Sequence, residues 1–117
     1  MNLSEIVVRA TDTVDDLVRK AEIAAIIGTI QATQTKFPYL RKIWKTNTEE
    51  ESLLGVSMTG IMDNPLTTLK NKGLDKMLEH VRDVVINTNA KWAKRLGIPQ
   101  STACCAVKPS GTVSQLV

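Results

Sequence analysis

Aromatic residues are scarce in this chain of 117: Phe37, Tyr39, Trp44 and Trp92 are the whole set. Lys and Arg are spread along the length, and no basic stripe with interleaved stacking residues stands out. Direct nucleic-acid binding is therefore not expected, although the formal charge is +3. No apolar run reaches the ~18 residues that a membrane span needs. The richest run, from Ala21 to Ile30, is interrupted by Glu22 and Gly28. Met1 to Ala10 lacks the basic start and long apolar core of a secretory signal. Cysteine is limited to Cys104 and Cys105. Neighbours on a strand point to opposite faces, so these two are poorly placed to bridge each other or to share a metal. They read as small buried apolar residues of a reduced, cytoplasmic protein. The P-loop pattern G-x-x-x-x-G-K-[ST] is absent. The single histidine, His80, sits on the polar side of a predicted helix beside Glu79 and reads as solvated.

What is present alternates. Strands are predicted at about 3–8, 53–61 and 102–107, and helices at about 14–34, 73–96 and 112–117. Leu3 to Val8 is β-branched at its end. Thr13 with Asp16 forms a capping-box pattern, and Asp15 and Asp16 suit a helix start. Val14, Leu17, Val18, Ala21, Ala24, Ala25 and Gly28 then recur at helical spacing. Ile23, Ile26, Ile27 and Ile30 fill the other faces, which predicts burial on several sides. Arg41 to Glu51 is polar and reads as a loop or short helix anchored by Trp44, and Glu49 to Glu51 as a solvated run. Gly55 and Gly60 mark places of close packing in the second strand. Asp63-Asn64-Pro65 is a turn. Leu74, Met77, Leu78, Val81, Val84, Val85, Thr88, Trp92 and Leu96 define the long helix, which Gly97 and Pro99 end. Lys91, Lys94 and Arg95 complement its dipole. The alternation predicts an α/β fold with three parallel strands. No linker divides the chain, so 1–117 is treated as one segment.

The third strand leads into Lys108-Pro109-Ser110-Gly111-Thr112-Val113-Ser114-Gln115. A strand, a tight turn and a helix start together make an anion site. The first N–H groups of a helix lack internal partners and carry the positive end of its dipole. Gly111 allows close backbone approach, and the Ser110 and Thr112 hydroxyls add donors. Ser110 as a simple N-cap explains the local pattern equally well.

Three segments carry a family resemblance. Met1-Asn2-Leu3-Ser4-Glu5-Ile6-Val7-Val8-Arg9 is similar to a C-N-L-S-E-V-V-V-R segment of ribonucleotide reductases, in the style of the adenosylcobalamin-dependent class II. Leu53 to Asp63 resembles the family's L-L-G-V-S-x-T-G-I-x-D stretch, and Val107 to Leu116 its V-K-P-S-G-T-V-S-Q-L stretch. The three occur in order, at matching spacing, across almost the whole chain. The resemblance implies part of a ten-stranded α/β barrel, of which this chain would supply three strands. It implies that Pro109, Ser110, Gly111, Thr112, Val113 and Ser114 hold the phosphates of a nucleoside di- or triphosphate. It implies reduction at the ribose 2′ carbon, with adenosylcobalamin as cofactor and an external thiol reductant such as thioredoxin.

The departures limit that reading. The family's thiyl cysteine lies in an N-P-C-x-E segment that this chain lacks. Asn64-Pro65 is followed by Leu66 and carries no such role. Met1 stands where the redox-pair cysteine begins the first motif, and a thioether cannot form a disulfide. No catalytic residue is therefore assigned, and the isolated chain is expected to be inactive. Both ends look cut, which points to a split subunit completed by other fragments of the same reductase. The alternatives are a stand-alone, non-catalytic nucleotide-binding α/β module and an inactive remnant.

Overall fold

A computed structural model describes residues 1–107; Lys108 to Val117, with the helix expected at 112–117, lie outside the described residues. Strand β1 (Asn2–Val7) pairs in parallel with β2 (Leu54–Thr59), in a register running from Asn2 opposite Leu54 to Val7 opposite Thr59. Helices α1 (Val14–Gln31) and α2 (Lys42–Glu51) fill the crossover between them. A single 3-10 turn (Ile61–Asp63) and the long helix α3 (Leu74–Leu96) follow β2.

The local signals explain where α1 and α3 begin and end. The Asp16 N–H donates to Thr13 Oγ1 (3.3 Å) while the Thr13 N–H donates to Asp16 Oδ2 (2.9 Å), closing the capping box at the start of α1. At the end of α3, Gly97 adopts a left-handed φ of 68°, and the Ile98 N–H returns to the Ala93 carbonyl at 3.0 Å. The strand period of two sends Leu54 and Val56 to one face of the sheet. There they pack with Ile6, Ala21, Ala24, Ala25, Val81 and Val85 in one apolar cluster. Small residues let α1 sit close to the sheet: a Cβ on Gly28 would lie 2.2 Å from Leu54 Cδ1.

Three expectations need correction. The chain has two strands among the described residues, not three, and forms no barrel segment. The stretch expected to be the third strand, 102–107, lies beside β2 on the edge away from β1 but makes only one parallel bridge, Val56 to Cys105. The reason is a slip. The Leu54 N–H donates to the Ala103 carbonyl (2.9 Å) and the Val56 N–H to the Cys104 carbonyl (3.0 Å). A two-residue step on β2 thus meets a one-residue step on its neighbour, and a regular parallel ladder cannot continue. The third correction concerns α1. It buries only one side, and Ile23, Ile27 and Ile30 remain 49, 50 and 46% exposed.

A polar cluster holds the start of that slipped segment. Asn89 on α3 is 1% exposed. Its Nδ2 donates to Thr29 Oγ1 (2.9 Å) and Ser101 Oγ (3.2 Å), and its Oδ1 accepts from the Ser101 N–H (2.9 Å). One amide therefore ties α1, α3 and the return toward β2 together. Asn89→Ala is expected to destabilise the chain by about 2–4 kcal/mol, through unpaired buried groups and a small cavity. Urea unfolding followed by circular dichroism measures this, and a loss below about 0.5 kcal/mol would remove the cluster's structural importance.

Candidate functional site at the carboxyl edge of the sheet

In parallel α/β folds the strand ends and the loops beyond them converge on one edge, where ligands sit. Here β1 leaves the sheet at Val7 and β2 at Thr59, side by side in register. The Val8 N–H adds one more bond to the Thr59 carbonyl at 2.9 Å. Because 103–106 runs parallel to β2, Val107 ends at this same edge. The expected phosphate-binding residues Pro109, Ser110, Gly111, Thr112, Val113 and Ser114 lie outside the described residues.

The two loops at this edge are fastened to each other. Gly60 has φ 72°, and a Cβ there would stand 2.5 Å from the Val8 carbonyl oxygen. Only glycine fits both the left-handed backbone and that approach. Asn64 is 1% exposed. Its Nδ2 donates to the Arg9 and Asp12 carbonyls, both at 2.8 Å, and its Oδ1 accepts from the Leu66 N–H at 2.8 Å. The sequence showed Asn64 only as part of a turn. Nothing in Asp63-Asn64-Pro65 signals that its amide reaches back to the distant β1 loop.

Lys20 on α1 supplies the third fastening. Its Nζ donates to the Val7 carbonyl at 2.9 Å and pairs with the Asp12 carboxylate. Asp12 Oδ2 also accepts the Arg9 N–H at 2.9 Å. The Lys20 hydrogen bond, then that of Arg9, holds the Asp12 carboxyl below its ordinary range. Asp16 is lowered as well, by the Thr13 backbone N–H and then the Thr13 hydroxyl. These carboxylates are structural members of caps and loops.

Between β2, α3 and 105–107 lies a groove of about 380 Å³. Val56, Met58, Leu78 and Val81 make it apolar, and Arg82 is the charged residue in its lining among the described residues. Ser57 also borders it, and the Ser57 hydroxyl is buried with no hydrogen-bond partner among the described residues. The two cysteines separate as adjacent strand residues should. Cys104 is buried against Asn89, whereas Cys105 is exposed and borders the groove, so the expectation of two buried cysteines holds only for Cys104. Burial pushes the Cys104 thiol up, and desolvation of its sulfur against the groove does the same for Cys105 although the residue as a whole is exposed, which disfavours both thiolates. Met1 is 65% exposed and borders a separate shallow cleft with Trp44 and Leu53, far along the strands from the carboxyl edge. His80 is exposed, as its place on the helix implied. Among the described residues, no group of three His, Cys, Asp or Glu side chains could hold a metal ion, and no helix is long and apolar enough to cross a membrane.

No protein-family model, no curated protein and no solved structure matches this chain.

The depressed Asp12 carboxyl gives a pH dependence of definite sign. Its contribution to stability is present above the unfolded-state value near 3.8 and is lost as pH falls through the lower folded-state value. Asp12→Asn should therefore flatten the acid limb of the stability profile between about pH 5 and pH 2 and change little near pH 9. Urea midpoints across that range measure it. An acid limb identical to that of the parent would show that the pair with Lys20 does not form.

Proposed function

We propose that this chain is one piece of an adenosylcobalamin-dependent ribonucleotide reductase. It contributes the turn that holds the substrate's phosphates, and another chain contributes the radical cysteine. The observation that carries the proposal is the joint arrangement of three resembling segments. Met1 to Arg9 and Leu53 to Asp63, distant in sequence, are direct sheet neighbours in register. The lead-in to the third segment bridges the other edge of β2 in the same direction. Their carboxyl ends therefore share an edge, as a common substrate site requires. The need for a partner is supported by α1, whose Ile23, Ile27 and Ile30 lie half exposed along one side, and by β1, which has no second strand beside it among the described residues.

In the assembled enzyme a ribonucleotide becomes the 2′-deoxyribonucleotide; because Met1 replaces one redox cysteine here, the two electrons come from a dithiol outside this chain, which an external thiol reductant restores as it is oxidised to a disulfide. Within this reading, Pro109 to Ser114 bind the di- or triphosphate, and the described loops hold the edge rigid beneath it. The described residues do not fit adenosylcobalamin. Two grooves among them, of about 380 and 460 Å³, are lined largely by aliphatic side chains, and a corrinoid is far larger than either. Its seat is assigned to the partner chain.

The test is the mass of the native species that contains this chain, captured from its own cells. A complex with a larger chain bearing an N-P-C-x-E segment is the expected result. A free monomer that binds nucleotides would replace the proposal with a stand-alone binding module, and absence of the protein would favour a remnant. In the assembled enzyme, Gly111→Val should raise the substrate KM at least about tenfold while the complex stays intact, because a side chain blocks close backbone approach. An unchanged KM would remove the phosphate role from this turn.

A further inference from the structure

A cluster of positive charge lies away from the sheet edge, in the segment that joins α1 to α2 and in the start of α2. Lys36, Arg41, Lys42 and Lys45 fall within ten residues, and no acid occurs from Gln31 to Thr48. This segment carries more positive charge than the whole chain, whose net is +3, so the remainder is slightly acidic. Three of the four aromatic residues, Phe37, Tyr39 and Trp44, share it. In the fold all of these cations and rings except Phe37 are exposed to solvent.

Exposure is the deciding observation. Tyr39 is 97% exposed and Trp44 53%, and α2 buries none of its residues. The four cations are all exposed. Lys36, Arg41 and Lys42 form no ion pair among the described residues, and Lys45 reaches only Glu49, at 3.7 Å. Such an exposed pair is easily given up.

We propose that residues 36–45 bind single-stranded nucleic acid. Tyr39 and Trp44 offer ring faces on which unpaired bases stack, and Lys36, Arg41 and Lys42 lie against the phosphates. Exposed rings and cations close together in one segment are the recurring means of sequence-tolerant single-strand binding. A duplex leaves no unpaired base to stack. An anionic membrane is disfavoured because α2 offers only Ile43 and Trp44 as apolar residues, too few for a face that inserts among lipids. Glu49 lies about 10 Å along the helix from Lys42, so the footprint is a few nucleotides. The inference is independent of the reductase reading.

The test is fluorescence anisotropy of a labelled oligothymidylate with the full chain, over a series of salt concentrations. Binding is expected at low salt, with a log–log salt slope near −2 for about three neutralised phosphates. Tyr39→Ala with Trp44→Ala should weaken it at least about tenfold and leave the slope unchanged. Arg41→Gln with Lys42→Gln should reduce the slope by about 1.4. Since all four side chains are exposed, these variants keep the fold. The proposal is overturned by no binding at about 20 mM salt, by binding indifferent to the Tyr39 and Trp44 pair, or by tighter binding to a matched duplex or to phosphatidylserine vesicles.

Discussion

Pairing Asn2–Val7 with Leu54–Thr59 in parallel obliges the chain to travel back along the sheet before the second strand can begin. Most of the architecture depends on that requirement. The return path must cover one face of the strands, so the crossover needs a helix with an apolar side. Beyond Leu17, α1 meets this with alanines and Gly28 rather than bulky side chains, and so lies close enough for Leu54 to fill the space beneath it. α3 then packs beside α1 on the same face, with Val81 and Val85 completing the cluster. The parallel direction also sends both strand exits to one edge. The loops at that edge are neighbours because of the pairing.

Much of this was legible in the residues. The capping box at Thr13 and the glycine stop at Gly97 are local devices, decided by atoms within four positions of each other, and both form as read. The helical stripes of α1 and α3 are equally local. The parallel relation of the first two strands follows from the helix between them. The third strand was not legible, because its failure depends on register. Ala103 to Ala106 has strand-like residues, yet Asn89 holds Ser101 from a different helix and the ladder slips by one. No pattern within 102–107 encodes that. The roles of Asn64 and Lys20 were hidden for the same reason: each acts on backbone atoms remote in sequence. The expected phosphate-binding turn, Pro109 to Ser114, rests on its residues alone.

α2 shows how far other demands can override local preference. Lys42 and Lys45 stand at its amino end and Glu49 to Glu51 at its carboxyl end, opposite to what the helix dipole favours. Each misplaced charge costs a few tenths of a kcal/mol up to about 1. The helix buries nothing to offset this, although its Trp44 borders the cleft shared with Met1 and Leu53. Its order of charges concentrates cations at the loop and rings at Tyr39 and Trp44, so the polarity that weakens the helix gives the surface its character.

The amide of Asn64 has one more consequence. By bonding the Arg9 and Asp12 carbonyls it makes the exits of β1 and β2 a single mechanical body. Neither loop can open without breaking the bonds of the other, so they should share one opening free energy and exchange their amide hydrogens together. Whatever touches either loop meets both already ordered. The entropy of fixing the second has been spent in folding, before any ligand arrives.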